Sequence, residues 1–284
     1  NHVLIHGAWH IPALGVAGAG LASLMVAVLM GGSLTAYLFV SSSFAEFDDP
    51  APVPLHLGAL WRLAASGALM GLIAVSETGV FLASTIVVGL LAPQDVLAHV
   101  LAFRAMAVCY LFVAGIGQAV TIRVAFLDAR AAGSRHVHTR RAVASSCMGL
   151  VVLVLALFLL GADRLAGVLA AMVGRQGGPA DHVAALLPVA GLTLAALAPA
   201  HLASALLRAR NDVAAPTAFN AFSYWGVALV AMSLLVASGQ GARGAWLGLL
   251  LGASVCSACF AAYLWAGARR RLPPVVQVGT RRAA

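Results

Sequence analysis

Residues 69–91 read LMGLIAVSETGVFLASTIVVGLL. Glu77 is the one ionisable side chain in the run, and its neighbours are apolar or small. At about 1.5 Å of rise per residue, a helix of this length crosses a hydrocarbon core of about 30 Å. A carboxylate in the middle of a membrane is costly, and such residues usually line a polar pathway or pair with another group. APQD at 92–95 ends the run, and a second apolar run follows from about 96 to 124. So short a connection makes the two runs antiparallel neighbours.

The rest of the chain has the same character. Of its 284 residues 62% are hydrophobic and 9% are charged, and the mean hydropathy is +0.98. A soluble domain carries about 25% charged residues, so the chain is read as an all-α, polytopic integral membrane protein. Seven runs are long enough to span: 13–40, 63–91, 96–124, 143–162, 183–207, 214–237 and 245–268. Between them lie turn-forming stretches such as DDPAPVP at 48–54, RQGGPAD at 175–181, RARND at 208–212 and SGQGARG at 238–244. LHLGALWRLA at 55–64 is mildly amphipathic and is expected at the membrane interface. The four cysteines all fall in apolar runs, so no disulfide framework is expected. The chain begins with Asn1 rather than Met, with no signal peptide ahead of the first run, and is expected to be the C-terminal portion of a longer protein.

All 17 basic residues are arginine, and the formal net charge is +8. Their distribution speaks for topology rather than for nucleic-acid binding, and membrane lipids are the expected macroscopic partner. With the C-terminus placed in the cytoplasm, 13 of the 17 arginines fall on the cytoplasmic side: Arg62, Arg123, Arg130, Arg135, Arg140, Arg141, Arg208, Arg210, Arg269, Arg270, Arg271, Arg281 and Arg282. Only Arg164, Arg175 and Arg243 fall outside, and Arg104 lies within a span.

Several residues invite a functional reading. Glu77 is either a proton or cation site, or a helix-packing carboxylate bonded to Ser76 or Ser84. Arg104, counted from the turn at residue 93, lies about 8 Å in depth from Glu77. It either reaches along its helix to pair with Glu77 or snorkels outward alone. His99 and His201 sit in or near spans as hydrogen-bonding groups. Tyr224-Trp225 suits packing or interface anchoring, or the stacking of a cationic substrate. His2, His6 and His10 have i, i+4, i+8 spacing, but Gly7 and Pro12 argue for a loop, and no metal site is expected. Cys256-Ser-Ala-Cys259 lies among small residues inside a span and reads as helix packing, not redox chemistry. No nucleophile–base or metal set supports an enzyme.

In chain order, a set of segments resembles the multidrug and toxic compound extrusion (MATE) transporters. IPALGVAGAGLASL is similar to the start of their sixth helix. ETGVFLASTIVVGLLAPQDVLAHVLAF and GIGQAVTIRVAF are similar to the seventh and eighth. ALLRARND, SYW and GARGAWLGLLLG are similar to the end of the tenth, the eleventh and the start of the twelfth. The family has two six-helix lobes that alternate access to a central cavity and export organic cations against Na⁺ or H⁺. The resemblance implies that residues 1–47 end the N-terminal lobe, 48–62 connect the lobes, 63–268 form the C-terminal lobe and 269–284 are a cytoplasmic tail. It also implies a bacterial cytoplasmic-membrane antiporter for small organic, chiefly cationic, substrates, with H⁺ or Na⁺ as coupling ion and the missing N-terminal lobe as partner.

The resemblance places the family's helix-seven carboxylate at Glu77 and its second, helix-ten carboxylate at Leu197. Family Gln and Asn positions after His99 hold Val100 and Arg104, and the helix-seven Gly-x-Pro is Gly67-Ala68-Leu69. These departures speak against the usual Na⁺ site. His201, one turn from Leu197, is a candidate to replace the second carboxylate. Two other readings stay open: a coupling-deficient relative with a scaffold role, and a lipid-linked-precursor flippase of the same superfamily.

Overall fold

The computed structural model describes residues 2–7, 12–41, 56–129, 145, 149, 153, 156–158, 160–172 and 179–269, leaving out position 159 and the other intervening ones. The expected fourth span at 143–162, the basic loop within 123–141, His10 and the tail after 269 fall largely or wholly outside these residues. Among the described residues helix is the only regular secondary structure, joined by short turns. The chain divides into two compact units, residues 1–57 and 58–284.

The first unit holds α1 (His2–His6) and α2 (Gly15–Val40). Residues 2–6 form a short helix where the sequence suggested a loop, and the helix stops at Gly7, whose φ of 76° suits glycine. The imidazoles of His2 and His6 meet one turn apart, tilted by 44° with their centroids 4.6 Å from each other. Leu14 N–H donates to the Leu4 carbonyl at 3.0 Å and ties the two helices together. The long apolar side chains of α2 are exposed nearly all round in this chain.

The second unit begins with α3 (Leu57–Leu91), a short 3₁₀ turn (Pro93–Asp95) and α4 (Val96–Ala129). The stretch at 57–62, read from the sequence as interfacial, continues into the span as one helix. Along α3 the buried residues are Ile73, Ser76, Glu77, Val80, Phe81, Ser84 and Val88. This is the i, i+3, i+4, i+7 pattern of one helical face, so Glu77 sits on the packed side of its helix.

α5 (Ala162–Met172) and α6 (Pro179–Ala209) follow. The α6 helix carries Pro188 and Pro199 in its interior. A proline has no N–H and disturbs the carbonyls of the preceding turn. Next to Pro199, Ser257 Oγ donates to the Ala196 carbonyl and binds the disturbed turn to the last helix. The α6 helix ends at Asn211, whose φ of 61° is left-handed, in a turn closed by Asp212 N–H to the Leu207 carbonyl at 3.0 Å.

The chain then rises through α7 (Ala214–Asn220), a π-helical stretch (Ala221–Ala228), α8 (Leu229–Leu235) and a π turn (Val236–Gln240). Positive φ at Gly239 (89°) and Gly241 (54°) breaks the helix and reverses the chain into α9 (Gly241–Arg269). Gly244, Gly248 and Gly252 line one face of α9 against Leu235, Met232 and Ala228. A Cβ on any of them would collide with those residues, so this hairpin needs glycine to close. Asp95 Oδ2 accepts from Ala242 N–H at 2.9 Å, so the α3–α4 turn caps the first turn of α9.

Five helical stretches are long and apolar enough to cross a membrane, and the last, Ala214–Ala266, contains this hairpin. Six of the seven expected spans are therefore accounted for among the described residues.

Candidate functional site

Two hairpins set the site. Glu77 on α3 and Tyr110 on α4 lie at nearly equal distances from the Pro93 turn. His201 on α6 and Asn220 at the end of α7 lie at nearly equal distances from the Asn211 turn. Each antiparallel pair is therefore level in depth, and the packing of α6 against α4 brings both pairs together.

Among the described residues the direct partners of the carboxylate are Tyr110, His201 and Asn220. Tyr110 Oη donates to Glu77 Oε2 at 3.0 Å. His201 Nδ1 lies 3.2 Å from the same oxygen. Asn220 Nδ2 donates to Glu77 Oε1 at 3.0 Å. Tyr110 Oη also lies 3.3 Å from His201 Nδ1, and the two rings meet edge-on with centroids 5.5 Å apart. Behind Asn220, Cys256 Sγ donates to Oδ1 at 3.1 Å, which fixes the amide with its NH₂ towards Glu77. Because an ionised carboxylate only accepts hydrogen bonds, the arrangement calls for the tautomer of His201 with its proton on Nδ1. Glu77 and His201 keep only 11% and 8% of their side-chain surface.

The backbone makes room for this. Gly117 on α4 lies against the far edge of the imidazole, where a Cβ would stand 2.9 Å from His201 Nε2 and Cδ2. The π-helical turn after Asn220 carries buried Ser223 and Tyr224 towards the same interior, and π-bulges of this kind gather at functional sites.

Not every residue singled out in the sequence joins the cluster. Arg104 is exposed and makes no ion pair with Glu77, so of its two readings the structure lacks the pairing, and Tyr110, His201 and Asn220 hold the carboxylate instead. The reason is rotation: at about 100° per residue, Arg104 points roughly 120° away from Tyr110 around α4. Neither Ser76 nor Ser84 bonds the carboxylate; Ser84 Oγ instead donates to the Phe81 carbonyl at 2.7 Å and lies 3.2 Å from His99 Nε2. His99 thus belongs to a separate polar pair, with its ring 5.6 Å from that of Trp246.

Tyr224 is fully packed inside, whereas Trp225 is partly exposed and rests on Gly79 of α3. Cys256 packs as expected and also takes part in the hydrogen-bond network. Leu197 is buried in the apolar core. The sequence reading missed Tyr110, Asn220 and Gly117. The equal spacing of Glu77 and Tyr110 about the Pro93 turn was the signal for the first.

Among the described residues no second carboxylate bonds to this cluster, and Tyr110 and Asn220 both donate to the Glu77 carboxylate. Among the described residues no group of three or more His, Cys, Asp or Glu is placed to hold a metal ion. The cluster can do two things: hold a proton between carboxylate and imidazole, or present one negative charge to an organic cation.

Comparison with known proteins agrees with this architecture. The chain is 33% identical over 272 residues to a probable multidrug resistance protein NorM of Bradyrhizobium diazoefficiens, covering 89% of this chain and 55% of the relative. It is 28% identical to probable multidrug resistance proteins NorM of Xanthomonas axonopodis pv. citri, covering 90% and 56%, and of Mesorhizobium japonicum, covering 97% and 59%. The chain spans rather more than half the length of these curated relatives. In fold it resembles a crystal structure of a MATE in complex with MaL6, with a TM-score of 0.69 at 18% identity, covering 94% of this chain and 58% of that one. The family model MatE matches residues 70–233, which include Glu77 and all three of its partners Tyr110, His201 and Asn220. With its apolar helices, the protein is an integral membrane protein, and the chain belongs to the MatE family of transporters.

Proposed function

We propose that this chain forms the C-terminal half of an antiporter that exports organic, chiefly cationic, compounds across the bacterial cytoplasmic membrane in exchange for protons. The observation that carries this reading is the lone buried carboxylate of Glu77, surrounded by Tyr110, His201 and Asn220. A negative charge held by donors rather than by other oxygens suits a proton or a diffuse organic cation better than Na⁺. The NorM relatives, named as multidrug resistance proteins, support export of drug-like molecules. Rocking of two lobes about a central cavity supplies alternating access, and occupancy of the Glu77 site biases the equilibrium between its two states. The N-terminal lobe completes the cavity, and the arginine distribution puts the C-terminus in the cytoplasm.

The test uses everted membrane vesicles containing the complete gene product and the cationic dye ethidium. Dye uptake driven by an imposed proton gradient, and not by a sodium gradient, is expected. Failure of both gradients to drive uptake of ethidium or of other organic cations overturns the reading.

A further inference from the structure

We propose that His201, and not Glu77, gains and loses the coupling proton, while Glu77 stays ionised as a counter-ion that imidazolium and a cationic substrate occupy in turn. The inference rests on the transport reading above but assigns the proton within it.

The argument starts from the hydrogen bonds. Glu77 Oε2 receives Tyr110 Oη at 3.0 Å and faces His201 Nδ1 at 3.2 Å, while Oε1 receives Asn220 Nδ2 at 3.0 Å. One donor on each oxygen, Tyr110 on Oε2 and Asn220 on Oε1, favours the ionised carboxylate, and His201 Nδ1 beside Oε2 then carries its proton towards it. With a proton on Nδ1 the imidazole donates to Glu77 whether or not Nε2 is also protonated. The exchangeable proton therefore sits on Nε2, the edge that faces Gly117. Imidazole is also the side chain whose ordinary charge change falls nearest physiological pH.

The other ionisable groups around the pair do not compete for this role. From α4 comes Tyr110, already committed as a donor to Glu77. From the π-helical stretch and α9 come Tyr224 and Cys256, both buried, with Cys256 donating to Asn220. Arg208, on the same helix as His201, keeps its charge throughout. On α5, also packed against α6, Asp163 and Arg164 are exposed.

The cycle balances in charge. With His201 doubly protonated, the pair is neutral and offers nothing to a cation. When the Nε2 proton leaves to the aqueous side then open, the pair carries one net negative charge. A monovalent organic cation drawn to Glu77 restores neutrality. Reprotonation of Nε2 from the other side expels it, one proton for one substrate charge. Gly117 is a positioning residue in this scheme, because a methyl group there pushes the imidazole edge aside.

The test measures ethidium binding by the complete gene product in detergent, together with proton release in weakly buffered solution. In the acid range wild type is expected to release about one proton per dye bound, and its affinity there should fall about tenfold for each unit that the pH is lowered. His201→Gln keeps a donor towards Glu77 and is expected to bind dye with no proton release and a flat pH profile. Gly117→Ala is expected to retain binding but shift the pH profile. Proton release by His201→Gln equal to wild type overturns the proposal and returns the proton to Glu77. Glu77→Gln binding dye as tightly as wild type instead overturns the transport reading of the site.

Difference infrared spectra of wild type, with and without dye, give the answer even if His201→Gln does not fold. Loss of imidazolium bands on binding supports the assignment. Loss of a protonated carboxyl band that isotope labelling assigns to Glu77 refutes it.

Discussion

Glu77 Oε2 and His201 Nδ1 lie 3.2 Å apart across a sequence separation of 124 residues. The contact joins two helical hairpins that share no turn, so it reports the packing of the whole second unit. It also puts an imidazole where the resemblance to the family called for a second carboxylate one turn away, at Leu197.

Asn220 links Glu77 Oε1 to Cys256 Sγ. Replacing it with alanine strands a buried acceptor on one side and a thiol on the other. Asn220→Ala is expected to lower stability by about 1–3 kcal/mol, read as a fall in melting temperature in detergent. An unchanged melting temperature would mean that the bridge contributes nothing.

Arg104 tests the opposite expectation. It is exposed and unpaired with Glu77, so Arg104→Gln should change stability by no more than about 0.5 kcal/mol. Its effect should add to that of Glu77→Gln within about 0.5 kcal/mol in a double-mutant cycle. Strong coupling between the two would show that they pair after all.

Much of this fold could be read from the sequence because apolar length alone marks spanning helices. Glycine and Asn211 mark the reversals, and the ordered segments from IPALGVAGAG to GARGAWLGLLLG carry the family. The site was only half legible. Glu77 stands out because an acid is rare in such a run, and His201 because it lies one turn from Leu197. Depth counted along the helices suggested Arg104, but depth says nothing of which way a side chain faces. Tyr110 and Asn220 are ordinary residue types in a span, and only the meeting of the two hairpins gives them a role. The continuity of the helix from Leu57 into the span was not legible, because amphipathic character at 55–64 does not mark where a helix begins.

The α8–α9 hairpin depends on Gly248, where a side chain would strike the Met232 backbone. Gly248→Ala is expected to cost about 1–3 kcal/mol through overpacking. Gly167 of α5 has open space around it, and Gly167→Ala should be neutral or stabilising by up to about 1 kcal/mol. Equal melting temperatures for the two variants would contradict the close approach.

Asp95 holds the turn between α3 and α4 to the first turn of α9. Asp95→Ala should lower stability by about 0.5–2 kcal/mol and speed amide exchange around Ala242. Unaltered exchange there would show that the cap is not formed.

The central claim is that one negative charge at Glu77 is what the exported cation and the proton compete for. Glu77→Gln conserves the size of the side chain and removes that charge. The direct measurement is proton-driven ethidium uptake in everted vesicles by the complete gene product carrying this one substitution, at matched expression. The account predicts uptake no higher than in vesicles lacking the protein, and uptake at the wild-type rate would contradict it.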